Sequence, residues 1–506
     1  MKRLLYIMFL LPLGLNAQNM YNVSSFLENE LVGTARYVGM GGAMSALGAD
    51  LSTMGTNPAG MAMYRSSDFA FTAGVDVKSN KAVYEGNMLN TTKANGYVGN
   101  AAFVFSLERG GDYLEYLNIG IGFRRKNNLA GAFEMCGASN GYSQQYVIDA
   151  LYRNHPFKDF NTPQAWMYEN FSYSWLPLLA AEAALVNEQG KHFLTYPDTT
   201  LIWRPDELAF YEETRGGVNV VDFNLSANIC DRVYLGATVS ASIVDYNKYT
   251  EYRETDMIDD IYILENNKYI KGSGFDVKLG AIFRPFKYSP FKVGVSVHTP
   301  TWYSLNEYNS ATITDPYGNY YSTTDKGLYN DLLKVQSSLR TPWRYNASMS
   351  YTFGSHVALN AEYEYTDYTM TKFRGRGDVE KSQNEEFECN MKEQHTVRVG
   401  AEINADGFAV RVGYNYITAP FANDAYKYMY NASVAETSTE YMNRFDKNVV
   451  TMGFGWHDTI FYCDFAYKLE LQKAEFYPFY DFDFVNPAAT VDQMNHSVVA
   501  TVGMRF

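Results

Sequence analysis

The chain is poor in the features that mark most protein classes. It carries four cysteines, at 136, 230, 389 and 463, in 506 residues, too few for a disulfide scaffold. One bridge is conceivable, and spacing does not say which pair would form it. There is no C-x-x-C and no zinc-ligand spacing. Only 19% of residues are charged, with 56 acidic against 42 basic, a formal net charge of −14. No basic stripe appears, so no nucleic-acid partner is expected. Apolar runs of the roughly 20 residues that a membrane helix needs are missing after the N-terminus. The longest, 175–186, is broken by Pro177 and Glu182. Aromatics, by contrast, are abundant: 43 Tyr, 32 Phe and 6 Trp, beside 38 Gly. That many rings exclude a disordered chain, while a mean hydropathy of −0.29 leaves much polar surface to be placed. The composition is that of a β protein.

The N-terminus reads as an export signal. Lys2 and Arg3 precede an apolar stretch from Leu4 to Leu15, and Asn16-Ala17-Gln18 offers a cleavage site after Ala17. Residues 1–17 are therefore expected to be a signal peptide. No Cys follows the cut, so no lipid anchor is expected.

Strict alternation recurs along the rest. Val233, Leu235, Ala237, Val239, Ala241 and Ile243 share one face, and Tyr234, Gly236, Thr238, Ser240 and Ser242 the other. Period two with one apolar face means half-buried antiparallel strands. Fourteen such segments lie near 68–78, 97–107, 116–125, 218–229, 232–245, 272–284, 290–300, 345–353, 356–367, 395–404, 407–416, 447–457, 460–471 and 496–506. Their connections alternate between 2–8 residues and 18–92. A soluble sandwich has no reason to put every short turn at one end, whereas a transmembrane barrel does. The fold class predicted is all-β: a fourteen-stranded antiparallel transmembrane β-barrel over 68–506 with long extracellular loops, the largest at 126–217. In lipid only a closed barrel leaves no backbone group unpaired. Trp302 and Trp343 fall at the predicted outer rim and Trp456 at the inner one, as girdles require. Arg398, Glu402, Glu362, Glu364, Asp276, Lys278, Asp464, Lys468 and Glu470 would face the lumen. Such a lumen is either wet or filled by a polar plug.

Residues 18–67 do not alternate. They contain Val38-Gly-Met-Gly-Gly-Ala-Met-Ser-Ala-Leu-Gly-Ala-Asp50 and then Asn57-Pro58-Ala59-Gly60. The glycines at 39, 41 and 42 are no dinucleotide fingerprint, because position 44 is Met and no βαβ strand precedes them. The segment, with Thr341-Pro-Trp-Arg-Tyr345, resembles the FadL/TodX-like outer-membrane transport family. The resemblance implies a fourteen-stranded barrel whose N-terminal segment folds into the lumen as a hatch or plug. It also implies inward passage of long-chain fatty acids or other hydrophobic compounds, with release through a lateral opening beside a kinked strand. Gly39, Gly41, Gly42, Asn57, Pro58 and Ala59 are the expected hatch and gating residues. The implied partners are a hydrophobic small-molecule ligand, outer-membrane lipids and the barrel-assembly machinery, which would read the C-terminal strand ending in Phe506. The implied location is the outer membrane of a Gram-negative bacterium. No cofactor, metal or catalytic residue is expected.

Other motifs read blandly. Gly137-Ala-Ser139-Asn-Gly141 matches G-x-S-x-G, but no parallel sheet is available to form a nucleophile elbow. An outer-membrane lipid hydrolase is therefore the weakest alternative. Trp166, Phe171, Trp175 and Leu178 in the large loop are candidates for hydrophobic ligand capture, with packing of the loop over the barrel as the competing role. His298, His395 and His496 border long loops, and haem ligation by one of them would suit a surface receptor or secretion-scaffold barrel that transports nothing. The acidic clusters at 256–260 and 481–486 lack EF-hand spacing.

Overall fold

The structure is a computed structural model. It describes residues 20–506 apart from 111–112, 155, 158–164, 170–172, 186–204, 257–259, 327–333, 375–376, 430–433 and 481–487. The expected signal peptide lies outside the described residues.

The alternating segments form one closed ring of fourteen antiparallel strands. In chain order they are β1 (Asp68–Tyr84), β2 (Asn87–Glu108), β3 (Leu114–Asn128, resumed at Gly131–Ala138), β4 (Glu207–Ile229) and β5 (Val233–Thr255). Next come β6 (Asp260–Phe283), β7 (Lys292–His298, resumed at Trp302–Thr314), β8 (Lys334–Arg340, resumed at Arg344–Phe353) and β9 (Val357–Asp367, continued at Lys372–Arg374). The ring ends with β10 (Glu393–Ala405), β11 (Phe408–Ile417), β12 (Tyr441–His457), β13 (Phe461–Tyr477) and β14 (Ala489–Arg505). It shuts where β1 pairs with β14, from Asp68↔Arg505 to Val83↔Thr490. Beyond that ladder Ser67 N donates to Phe506 O at 3.1 Å, and Phe506 N to Ser67 O at 3.0 Å.

Side chains sort by face as the alternation requires. Phe223, Leu225, Leu235, Val239, Ile243, Val410, Val412 and many like them stand outside, about half exposed. An apolar band of this extent does not belong on a soluble monomer. Trp302 and Trp343 edge it at the long-loop end and Trp456 at the short-turn end, all exposed. The outer surface is that of a barrel that spans a membrane. Short turns use the conformations they need: Asp406 and Gly407 both have positive φ, 46° and 83°, as a two-residue hairpin demands.

Strand ends differ from expectation. The first long loop, expected to be 18 residues, is a two-residue turn at Glu85-Gly86, because β1 and β2 continue to pair as far as Tyr84↔Asn87. Similarly, the 126–217 stretch begins and ends as strand, with Gly131–Ala138 laddered onto β4. Above an apolar band both faces meet polar surroundings, so alternation fades while backbone pairing persists.

Two strands step at proline. Thr299-Pro300-Thr301 interrupts β7, and Thr341-Pro342-Trp343 interrupts β8 beside it. Each proline removes a ladder donor, and threonine side chains mend the gap. Thr299 Oγ1 accepts from Val277 N at 3.0 Å, and Thr341 Oγ1 from Thr301 N at 2.8 Å.

The N-terminal segment lies inside the ring. It consists of α1 (Met20–Leu27), α2 (Ala35–Gly39) and two 3-10 turns, Leu51–Gly55 and Pro58–Met63. Thr34 caps α2 by accepting from Tyr37 N, and Asp50 accepts from Ser52 N and Thr34 Oγ1. Gly41, Gly42 and Gly48 take φ of 64°, 76° and 69°, a region that side chains disfavour. The strands answer with inward glycines. A methyl group at Gly236 would collide with Pro58, at Gly280 with Asn57, at Gly400 with Met40 and at Gly413 with Gly41. Gly413→Val should therefore leave a folded, heat-modifiable barrel while the N-terminal segment becomes cleavable. Limited proteolysis with N-terminal sequencing of the fragments checks this.

Candidate functional site: plug, cavity and wall

The lumenal charges anticipated from the sequence are matched within the protein. Arg36 of the plug forks onto Glu402 at 2.9 and 3.0 Å and donates to Ala49 O at 2.9 Å. Arg411, fully buried, shares Glu402 at 2.6 Å and reaches Asp464 at 2.6 Å. Arg398 bridges Glu362 at 2.7 Å and Glu364 at 3.3 Å. Lys278 pairs with Asp276 at 2.8 Å, and Arg124 with Asp222 at 2.6 Å. Other wall groups grip plug carbonyls: Lys292 on Leu47 at 2.8 Å, Lys126 on Phe26 at 3.1 Å, and Asn118 on Met61 at 2.7 Å. Solvation that water would supply in an open pore comes here from the plug backbone.

Above the plug lies a cavity of about 220 Å³. Its lining includes Tyr21, Glu28 and Glu30 from the N-terminal segment, Leu129–Phe133 of the third strand, and Lys248, Arg444 and Lys447 from the wall. Charges in it are paired: Glu28 with Lys447 at 3.3 Å, Glu30 with Lys78 at 3.5 Å, Lys248 with Glu212 at 2.9 Å. The barrel wall is interrupted beside this cavity. β2 and β3 pair from Glu108↔Tyr116 to Asn100↔Arg124, and there the ladder stops. β3 then breaks at Leu129-Ala130, and its resumed part turns inward. Ala132 O accepts from Asn80 at 2.6 Å, Gly137 abuts Tyr84 of β1, and the Phe133 ring lies 4.7 Å from that of Phe476. Residues 87–99 of β2 are left with one paired edge. Among the described residues, side chains cross the gap: Lys93 donates to Gly131 O at 3.2 Å and Thr214 O at 3.0 Å, and Asn95 to Asn128 at 3.1 Å.

Searches of protein-family models and of curated protein sequences find no match. Solved structures do match. A Pseudomonas aeruginosa FadL homologue superposes over 95% of this chain and 100% of its own, with a TM-score of 0.57 at 12% identity. The chain has the FadL-type fold. The toluene transporter TodX of P. putida aligns over 94% of this chain and 99% of its own, at TM-score 0.51 and 11% identity. TodX is named a toluene transporter, and neither matched structure is named an enzyme.

The residues expected in a hatch lie at two separate places against the wall. Asn57 is fully buried, donates to Ser45 O at 2.8 Å and accepts from Ala59 N at 3.2 Å, while Pro58 opens the 3-10 turn. Gly39 approaches Gly453 on the far side of the plug. The loop aromatics do not gather in one place. Trp175 and Leu178, in a helix α3 (Trp175–Glu182), are fully buried in an apolar cap with Tyr84, Phe133, Phe210, Tyr262 and Phe476. Trp166 is 51% exposed, and Phe171 lies outside the described residues. Ser139 is buried, donating to Pro205 O and accepting from Gly141 N. The three histidines expected at the rim do not converge. His298 is buried with Nε2 2.6 Å from Thr56 O, and His395 and His496 bond Tyr363 and Tyr467. No disulfide joins the cysteines, and no metal-binding cluster occurs among the described residues. Sequence reasoning missed Arg36, Lys93 and Asn95, single polar residues whose partners lie far away in the chain.

Two outcomes are expected. Arg36→Ala removes one of two cations from buried Glu402, so the plug should lose about 1–3 kcal/mol, read as faster hydrogen exchange across 34–50. In the cap, burial pushes the Asp149 carboxyl up to about 7. A raised carboxyl stabilises the fold fully at pH below the ordinary value, and that stability is lost as pH rises through about 7. Melting temperature should therefore fall from pH 5 to pH 8, and Asp149→Asn should flatten the dependence.

Proposed function

We propose that this barrel is a passive outer-membrane channel for uptake of hydrophobic small molecules, with long-chain fatty acids as the leading class. The observation that supports this best is a filled lumen beside an interrupted wall. A plugged barrel gives water and ions no easy path, yet β3 leaves the wall next to a cavity. An acyl chain gains about 0.8 kcal/mol per CH₂ on leaving water for lipid. Leaving sideways at the foot of that gap, where Val98 stands exposed at the top of the apolar band, keeps that gain, whereas a wet pore forfeits it. Among the matched folds TodX is named a toluene transporter. The cavity here is lined by paired charges as well as by Tyr, Leu and Phe, which suits a ligand with a polar head and an apolar body better than a bare hydrocarbon.

In this reading the long-loop end faces outward and the short turns face the periplasm. Residues 1–17 direct export, and the assembly machinery inserts the barrel by its C-terminal strand into the outer membrane of a Gram-negative bacterium. Gly39, Gly41, Gly42, Asn57, Pro58 and Ala59 hold the hatch in its lumenal shape. Trp166, exposed on the cap, meets ligand first, and Trp175 and Leu178 contribute once the cap loosens. Deleting Leu129 and Ala130 should let β3 run straight along β2. Uptake of radiolabelled oleate by cells lacking other fatty-acid channels should then fall at least tenfold, with the barrel still folded and inserted. Equal uptake with and without the intact protein would sink the proposal.

A further inference from the structure

The connection between β11 and β12 does not stand out from the barrel as a loop. Its described parts, 418–429 and 434–440, cross the mouth to the inner faces of β5, β6 and β7, about six strands away round the ring of fourteen. The crossing is held by ions. Glu436 meets Lys268 of β6 at 2.5 Å, and Lys268 also meets Glu307 of β7 at 3.3 Å. Glu440 meets Lys248 of β5 at 3.0 Å. Lys427, on the same connection, closes back on Glu436 at 3.7 Å. Neutral bonds flank these pairs: Thr437 to Asn266 at 2.5 Å and Gln144 to Thr439 at 2.7 Å. Trp175 N, at the start of α3 in the cap, donates to Val434 O at 2.8 Å. Glu436, Glu307, Glu440, Lys268 and Lys427 are all buried. Lys427 and Glu440 also line the 220 Å³ cavity, so the crossing segment is its roof.

We propose that this segment is an ionic strap that controls admission to the cavity from the long-loop side, releasing as a unit when its pairs with β5 and β6 separate. The proposal rests on the reading of that cavity as the ligand site. The strap differs from packed apolar roofing in its dependence on matched charge. If Lys268 loses its charge, Glu436 and Glu307 face one another with Lys427 as the nearest remaining cation, and both carboxylates regain hydration only if the strap lifts. Acid does not break the Glu436 pair in the ordinary range. Burial opposes ionisation of Glu436, but Lys268 and Lys427 outweigh it and hold the carboxyl at about 2. The pairing is therefore kept as pH falls to about 4 and is lost only towards pH 2.

The test reads access rather than transport. A reporter cysteine replaces Thr214, which lines the cavity, in a chain whose four native cysteines are changed to serine. Labelling by a membrane-impermeant maleimide is then timed in reconstituted vesicles. The parent should label slowly, Lys268→Met about tenfold faster, and Lys268→Arg, which keeps a cation between Glu436 and Glu307, slowly again. Heat-modifiable mobility confirms a folded barrel in each case. A parent that labels as fast as a free thiol, a Lys268→Met rate equal to the parent's, or a Lys268→Arg variant that labels as fast as Lys268→Met while folded would each overturn the strap. Oleate uptake measured in the same variants judges the channel reading separately, and its failure would leave the labelling rates, and the strap, standing.

Discussion

Backbone amides and carbonyls inside a bilayer have no water to turn to, so the wall must satisfy them itself. Nearly everything in this barrel follows from how that requirement is met and where it is relaxed. Ladders run continuously round the ring, and even the two proline steps in β7 and β8 are closed by Thr299 and Thr341 hydroxyls standing in for missing backbone groups. The β2–β3 boundary is different. There the strand itself departs, and side chains such as Lys93 and Asn95 reach across. Two kinds of irregularity thus have opposite meanings: one is mended at the level of the backbone, the other is left to side chains that can move.

The closed wall creates a second problem, a lumen whose inner face must be polar because its outer face is apolar. Buried ions cost several kcal/mol each unless matched. Here wall and plug solve the matching jointly. Glu402 is shared between Arg411 of the wall and Arg36 of the plug, and wall lysines end on plug carbonyls. The inward glycines complete this arrangement by letting backbone meet backbone, so position and charge balance are fixed by the same contacts.

Much of the architecture could be read from alternation, because a strand with lipid on one side records its membrane-embedded part in period two. The fourteen segments and the rim tryptophans were legible for that reason. Strand ends were not, since the upper halves of β1 and β2, with Ser79 to Lys81 facing Asn90 to Thr92, carry no apolar face while still pairing. The plug's glycines announced tight bends but not which wall positions would receive them. Trp175 and Leu178 look the same in sequence whether they line a groove or fill a core, and the cap buries them. His298 looked like a rim residue because a long loop was expected to follow it, but a further strand segment follows instead, and the imidazole turns inward to Thr56.

The seam of the ring joins Asp68 to Arg505, 437 positions apart. Contacts of such separation carry the largest loop-closure entropy of any neighbouring pair in the ring. Ser67 sits at that seam, tethering the plug to the strand that finishes the wall. The N-terminal segment and the wall thus share one terminus of order, since the residue that ends the first is paired with the residue that ends the second.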